Sequence, residues 1–125
     1  MGYDIKYKIL LVEDDNDSIK IFQRMLNEYQ LDFCESEISL YNKLSENNYD
    51  LILMDIGLAG SKDGIQLIDQ LKKDKKYSSI PIVCITSRAY AAQETLAMNA
   101  GADAYVTKPV NKTKLISIIN RILDC

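Results

Sequence analysis

Short stretches in which nearly every residue is apolar recur along the chain. They lie at residues 8–12, 51–54 and 82–85, with a shorter one at 104–106. An apolar run without polar alternation is typical of a strand buried on both faces, as in a parallel sheet. Residues 31–34 form a weaker candidate of the same kind. The pattern therefore predicts five strands.

Between these runs, apolar residues recur with the spacing of a helix face. Ile21, Phe22 and Met25 lie on one face of a helix predicted over 15–29, with an aspartate or asparagine at its start as N-cap. The same spacing predicts four further helices, at 38–44, 65–71, 91–99 and 115–123. Gly101 is a typical stop signal for the fourth helix. Since neighbouring parallel strands need a crossover connection, the alternation predicts a doubly wound α/β domain with five helices.

The composition narrows the classes of function. The 125 residues, 47% of them apolar, suffice for one core, and we predict a single domain over 1–125 with its core at about 7–124. Fifteen basic against eighteen acidic residues disfavour a nucleic-acid partner. No apolar run approaches the roughly 20 residues of a membrane span. The start of the chain also lacks the layout of a secretory signal.

Cysteine and histidine usage restricts the chemistry further. The cysteines Cys34, Cys84 and Cys125 are widely separated, and the chain contains no histidine. A zinc site and any catalytic pair that needs imidazole are therefore weakened or excluded. We expect a reduced, cytoplasmic domain.

Polar residues follow the predicted strands at the point where each strand ends. Glu13 and Asp14 follow the first strand, Asp55 the third, Thr86 the fourth and Lys108 the fifth. The carboxyl ends of parallel strands meet at one edge of a sheet, so we expect the three carboxylates to converge there. Carboxylate oxygens without histidine or cysteine nearby select Mg²⁺ or a similar hard ion.

Carboxylates, a magnesium ion and a lysine together favour phosphoryl transfer, in which positioning and charge neutralisation dominate catalysis. With no Ser-His or Cys-His pair available, the natural nucleophile is a carboxylate, and the product is an aspartyl phosphate.

In these features the chain resembles the receiver domain of bacterial two-component response regulators, of the chemotaxis-Y-like kind, over essentially its full length. The matching segments are residues 9–15, 51–55, 63–64, 85–86 and 101–109. The resemblance implies a flavodoxin-like strand order, 2-1-3-4-5. It also implies that Asp55 accepts a phosphoryl group from a phosphohistidine on a histidine kinase or a histidine phosphotransfer domain. Such a domain would catalyse its own phosphorylation and dephosphorylation, with no separate substrate turned over.

The resemblance also assigns roles around the phosphoacceptor. It implies that Asp14 and Asp55 ligate Mg²⁺ directly, that Glu13 acts through water and that the Gly57 carbonyl completes the protein ligands. Lys108 would pair with the phosphoryl oxygens.

A switch is implied as well. Thr86 would hydrogen-bond the phosphoryl group, and Tyr105 would move inward behind it, with a backbone acceptor for its hydroxyl in residues 87–89. A downstream protein would read the change on the face of the fourth helix, fifth strand and fifth helix. The peptide bond before Pro109 would be cis. Lys114 stands where dimerising receivers usually carry an acidic residue, so we expect a monomer.

Several alternatives are weighed against this interpretation. The acidic loop after the first strand would repel a flavin phosphate, and Gly57 stands where a haloacid-dehalogenase phosphatase needs a second aspartate. A phosphorylation-independent receiver, or a receiver cut from a hybrid histidine kinase, stays open. The loop between Asp55 and Gly64 looks one residue longer than is usual.

Overall fold

Five strands alternate with five helices in a computed structural model that describes residues 6–57, 63–87 and 91–124. In chain order the elements are β1 (Lys8–Val12), α1 (Asn16–Met25), β2 (Gln30–Cys34), α2 (Glu37–Glu46), β3 (Leu51–Asp55), α3 (Gly64–Lys73), β4 (Ile82–Thr86), α4 (Ala91–Ala100), β5 (Ala104–Thr107) and α5 (Lys112–Leu123). Both the predicted number of elements and their alternation are confirmed.

All strand pairs are parallel, and the sheet order is β2-β1-β3-β4-β5. The order implied by the resemblance is therefore confirmed. Every residue of β3 and β4 is buried, whereas β2 at one edge of the sheet is largely half-buried or exposed. This difference explains why the central strands give continuous apolar runs and β2 gives a weak one.

Successive side chains of each strand enter opposite cores, one on each face of the sheet. Leu10, Ile52 and Cys84 pack with residues of α2, α3 and α4. Leu11 and Leu53 pack on the other face, with residues of α1 and α5. Cys84 is fully buried and serves as an apolar side chain of this core.

The helices differ from their predicted ranges mainly in their polar first and last turns. Helix α1 ends at Met25 although the apolar pattern runs to Tyr29, because Tyr29 packs on the core from the turn that follows. Helix α5 begins at Lys112, earlier than its first apolar residue, since the Asn111 side chain accepts a hydrogen bond from the Lys114 N–H and caps it. Periodicity locates the apolar face of a helix and misses a polar first turn.

Two further expectations are met in the backbone. Gly101 has φ +117°, and its N–H bonds to the Met98 carbonyl at the end of α4, which confirms it as the helix stop. The peptide bond between Lys108 and Pro109 is cis, as the resemblance implies. The longer loop after Asp55 lies in part, at residues 58–62, outside the described residues.

Candidate functional site

Buried polar side chains gather at the carboxyl edge of the sheet. Within residues 6–57, 63–87 and 91–124, the buried polar or charged residues are Glu13, Asp55 and Thr86, at 1%, 7% and 1% exposure. Each lies at the end of a different strand, β1, β3 or β4. Burial of a charge is costly unless it is paired, so their placement points to a specific arrangement of charges.

Lys108, just beyond β5, provides the positive charge at this edge. Its Nζ donates to Glu13 Oε1 at 2.6 Å and to Asp55 Oδ2 at 3.3 Å. It also donates to Ser18 Oγ at 3.3 Å. The Lys108 backbone N–H bonds to the Thr86 carbonyl at 2.7 Å, which ties this segment to the end of β4. One ammonium therefore serves two carboxylates from different strands.

Glu13 is held on both of its oxygens. Its Oε2 accepts from the backbone N–H of Asp14 at 3.1 Å and, more weakly, of Asp15 at 3.4 Å. The Asp15 side chain then caps α1 by accepting from the Ser18 N–H at 3.0 Å. The backbone that leads into α1 thus fixes the buried Glu13 carboxylate, whereas the adjacent Asp14 is exposed.

Burial and crowding shift the titration of these groups. Burial and a hydrogen bond with Asp55 raise the pKa of Glu13 to about 7, although Lys108 opposes the shift. Burial acts to lower the pKa of Lys108, but its hydrogen bond to Glu13 and the charge of Asp55 outweigh it, so the pKa is raised. Burial thus favours the protonated form of Glu13, and the Lys108 ammonium is shared between the two carboxylates.

Backbone contacts position the Asp55 side chain. The Gly57 N–H donates to Asp55 Oδ1 at 2.8 Å, and the Ile56 N–H donates to the Ile85 carbonyl at 3.0 Å. One oxygen of Asp55 is thus held by the turn after β3 and the other by Lys108. Gly57, which the resemblance names for its carbonyl, here contacts Asp55 through its N–H.

Convergence of all three predicted carboxylates is not seen. In the part of the chain that the structure describes, no three acidic, cysteine or histidine side chains form a group that could hold a metal ion. Glu13 and Asp55 meet through Lys108, whereas Asp14 lies next to Glu13 in the chain and is exposed. The donor set still suits a hard cation in kind, because its buried carboxylates carry negative charge that a divalent ion would neutralise.

Thr86 and Tyr105 lie on neighbouring strands, where Thr86 pairs with Thr107 and Cys84 with Tyr105. Thr86 is buried, and Tyr105 is half-buried against the core formed with α2, α3 and α4. Burial raises the pKa of the Tyr105 hydroxyl. Of the residues expected to supply a backbone acceptor for it, Ser87 is described, and Arg88 and Ala89 lie outside the described residues.

The contact between Ser18 and Lys108 was not predicted. In the sequence Ser18 reads as a small residue that extends the apolar face of α1. In the structure it contacts Lys108 and lines a groove of about 410 Å³ with mostly apolar walls, among them Ile21, Phe22 and Val110. The sequence signal for this contact is the hydroxyl of Ser18, which lies on an apolar helix face one turn after the acidic N-cap Asp15.

Comparison with known proteins places this arrangement in a family. The response regulator receiver domain matches residues 9–120. The chain is 34% identical over 118 residues to the phosphate regulon transcriptional regulatory protein PhoB of Escherichia coli K12, covering 93% of this chain and 51% of PhoB. It is 28% identical over 117 residues to the polar-differentiation response regulator DivK of Brucella ovis, covering 92% and 94% of the two chains.

A solved structure shows the same fold. It is the receiver domain of a sensor histidine kinase from Pseudomonas aeruginosa PAO1, with a magnesium ion coordinated in the active site cleft. The TM-score is 0.85 and the identity 25%, over 97% of this chain and 100% of that one.

Two observations bound the comparison. The chain spans about half the length of several curated relatives that it matches. Across the described residues, no helix is both long and apolar enough to span a bilayer.

The match over residues 9–120 and the sheet order both confirm the predicted resemblance. This chain belongs to the response regulator receiver domain family of two-component signalling.

Proposed function

We propose that Asp55 accepts a phosphoryl group from the phosphohistidine of a histidine kinase or histidine phosphotransfer domain. The observation that carries the proposal is the sharing of the Lys108 ammonium between Asp55 and Glu13, at 3.3 and 2.6 Å. Such an arrangement pairs a carboxylate nucleophile with a cation that can approach the incoming phosphoryl oxygens.

In the proposed reaction, an Asp55 carboxylate oxygen attacks the phosphorus atom as the bond from phosphorus to the donor imidazole nitrogen breaks. The electron pair of that bond leaves with the imidazole, and the phosphoryl group ends on Asp55. The Gly57 N–H, which donates to Asp55 Oδ1 at 2.8 Å, orients the carboxylate. We propose that Lys108, which donates to Asp55 Oδ2 at 3.3 Å, and the Thr86 hydroxyl bind the phosphoryl oxygens.

We further propose that the reaction uses Mg²⁺, held by Asp14 and Asp55 directly, by Glu13 through water and by the Gly57 carbonyl. Support comes from the two buried carboxylates, Glu13 and Asp55, that share the one ammonium of Lys108, and from the magnesium-bound relative. When bound, the ion neutralises charge on the phosphoryl oxygens. This chain's own groups hold and orient the nucleophile.

We propose that a downstream protein recognises the phosphorylated state by binding to the face of α4, β5 and α5. Leu96 and Met98 of α4 are exposed at 57% and 42%, an apolar surface that suits a protein partner. Tyr105 lies on β5, next to the strand that carries Thr86. We propose a monomer, since Lys114 replaces the acidic residue of dimerising receivers, and expect neither nucleic acid nor membrane as the partner of this domain.

We expect the phosphoryl transfer to take place in the cytoplasm. Cys34 and Cys84 are both free and buried, which fits a reducing compartment. The alternative of a phosphorylation-independent module is disfavoured. A module that has lost the reaction has no need to keep two buried carboxylates on one lysine.

Incubation with acetyl phosphate and Mg²⁺, followed by intact-mass spectrometry, tests the proposal. The wild-type chain is expected to gain one phosphoryl group and Asp55→Asn none. Asp50→Asn is the matched control, since Asp50 precedes β3 at the opposite end and its Oδ2 accepts from the Lys8 N–H at 2.8 Å. Equal labelling of Asp55→Asn and the wild type would show that the phosphoacceptor is another residue.

A further inference from the structure

Gly64, the first residue of α3, touches the backbone of the phosphoacceptor segment. A Cβ at this position would lie 2.5 Å from Ile56 Cα and 2.7 Å from the Asp55 carbonyl oxygen. Real Cβ atoms essentially never approach other atoms within 3.0 Å. The start of α3 therefore rests on the Asp55–Ile56 peptide at a distance that only glycine permits.

The helix side of this contact is fixed. Asp63 Oδ1 accepts from the Gln66 N–H at 2.9 Å, and Gln66 Oε1 accepts from the Asp63 N–H at 3.2 Å, a reciprocal cap. Further along the helix, three fully buried side chains anchor it to the sheet: Leu67, Ile68 and Leu71. Helix α3 cannot move away from the Asp55–Ile56 peptide without disturbing that packing.

The strand side is fixed as well. The Ile56 N–H bonds to the Ile85 carbonyl at 3.0 Å, and Asp55 pairs with Ile85 in the sheet. The closest neighbours of a new Cβ are backbone atoms, so a side-chain rotation cannot make room for it. A methyl group at position 64 would displace the Asp55–Ile56 peptide by several tenths of an ångström or more.

We propose that Gly64 is a positioning residue for Asp55: by letting α3 rest on the Asp55–Ile56 peptide, it sets the orientation in which the carboxylate reacts. This inference rests on the proposed function. The contacts that orient Asp55 are short, 2.8 Å from Oδ1 to the Gly57 N–H and 3.3 Å from Oδ2 to Lys108. A displacement of about 1 Å in a reacting group costs roughly 100-fold in rate.

The test compares Gly64→Ala with Gly101→Ala. Gly101 has φ +117°, and a Cβ there would lie 2.6 Å from Lys72 Cγ, so this substitution also strains the fold. It does so at the amino edge of the sheet, since the nearby Asp103 N–H bonds to the Ile82 carbonyl at the start of β4. The pair separates a local effect on Asp55 from a general loss of stability.

Phosphorylation by acetyl phosphate with Mg²⁺ is measured as an initial rate, per folded molecule as determined by circular dichroism. We expect Gly64→Ala to react about 10- to 100-fold more slowly than the wild type, with shifted Ile56 and Gly57 amide resonances. Gly101→Ala is expected to keep the wild-type rate and those resonances. Equal rates for Gly64→Ala and wild type, or equal losses in both variants, would overturn the inference.

A second pair decides the question if Gly64→Ala does not fold. Asp63→Ala removes the capping box at the start of α3, next to Gly64, and Ser36→Ala removes the corresponding capping box of α2. We expect Asp63→Ala to slow phosphorylation several-fold more than Ser36→Ala does; equal rates would refute the positioning role. If the wild type takes up no phosphoryl group, the proposed function itself is wrong and the inference falls with it.

Discussion

The two edges of the sheet each hold a lysine among acidic residues, but they use it differently. At the amino edge, Lys72 Nζ donates to the Ile80 carbonyl at 2.9 Å and to Asp103 Oδ2 at 3.3 Å. The same Asp103 oxygen accepts from the Ile82 N–H at 2.8 Å. At the carboxyl edge, Lys108 contacts two carboxylates, of which Glu13 is almost wholly buried.

The difference lies in the balance of charge. Lys72 and Asp103 form one pair, the Asp103 side chain is 41% exposed, and backbone groups supply further hydrogen bonds to both side chains. Glu13 and Asp55 share one ammonium in a buried setting, and the pKa of Glu13 rises to about 7. The amino edge thus fastens the helices and loops to the sheet. The carboxyl edge places two buried carboxylates on one ammonium where the phosphoryl chemistry is proposed.

The largest expected difference between the two edges is the effect of replacing Lys108 or Lys72 by methionine. Lys108→Met is expected to lower the rate of Asp55 phosphorylation by roughly 100-fold or more, because a preorganised cation for the phosphoryl oxygens is lost. Lys72→Met is expected to keep the rate and lower the free energy of unfolding by about 1–3 kcal/mol, since Asp103 and the Ile80 carbonyl lose a donor. Initial rates with acetyl phosphate and urea denaturation measure the two effects.

Methionine preserves the length of the lysine stem, so packing is disturbed as little as possible. If the phosphorylation rate falls equally in Lys72→Met and Lys108→Met, the assignment of Lys108 to the reaction and of Lys72 to stability is wrong.

The sequence allowed the fold to be predicted because its central strands are buried on both faces and therefore read as unbroken apolar runs. The apolar pattern of edge strand β2 was weaker, because Gln30 and Phe33 are exposed and Asp32 is only half-buried. Strand ends also located Glu13, Asp55 and Lys108 correctly at one edge. Their positions follow from topology alone.

The contacts between different helices and strands could not be predicted from the sequence. Nothing in the periodicity of α1 indicates that Ser18 contacts Lys108, and Asp63-Gly64 reads as an ordinary cap and helix start. The close approach of Gly64 to Ile56 depends on how α3 docks on the sheet. The sequence likewise does not indicate that Asp14 is exposed whereas the adjacent Glu13 is buried.

A pH titration sharpens the contrast between the edges. The pKa of Glu13 is about 7 in the folded chain against 4.5 for an ordinary glutamate, so the folded state binds this proton between those values. Its contribution to stability therefore falls as the pH rises from about 4.5 to about 7. If Glu13 helps to hold Mg²⁺, the ion must displace the proton, and Mg²⁺ affinity should rise as the pH rises towards 7, by up to about tenfold per pH unit, then level off.

Isothermal titration calorimetry with Mg²⁺ between about pH 6 and 8 measures this dependence. Glu13→Gln should bind Mg²⁺ more weakly and with a flatter pH profile, whereas Glu35→Gln, at an exposed position after β2, should match the wild type. A wild-type affinity that stays constant over this range would contradict the proposed role of Glu13.

The smallest expected effect concerns the switch, and it compares Thr86 with Thr107, its partner across β4 and β5. Thr86 is buried and Thr107 exposed, and the proposed contact with a phosphoryl group on Asp55 involves Thr86. Beryllofluoride with Mg²⁺ mimics the phosphoryl group and should shift the amide resonances of Tyr105 and of α4 in the wild type. Thr86→Ala should weaken the shift at Tyr105 and keep beryllofluoride binding, and Thr107→Ala should keep both.

The reason is steric and modest in energy. If the Thr86 hydroxyl moves towards the phosphoryl group, we expect space to open behind it and the half-buried Tyr105, on the neighbouring strand, to fill that space. The two states should differ by only a few kcal/mol, as a reversible switch requires. The tyrosine hydroxyl then needs an acceptor on moving inward. Wild-type shifts that stop at Glu13 and Asp55, with Tyr105 unchanged, would show that Tyr105 is an ordinary edge-strand aromatic.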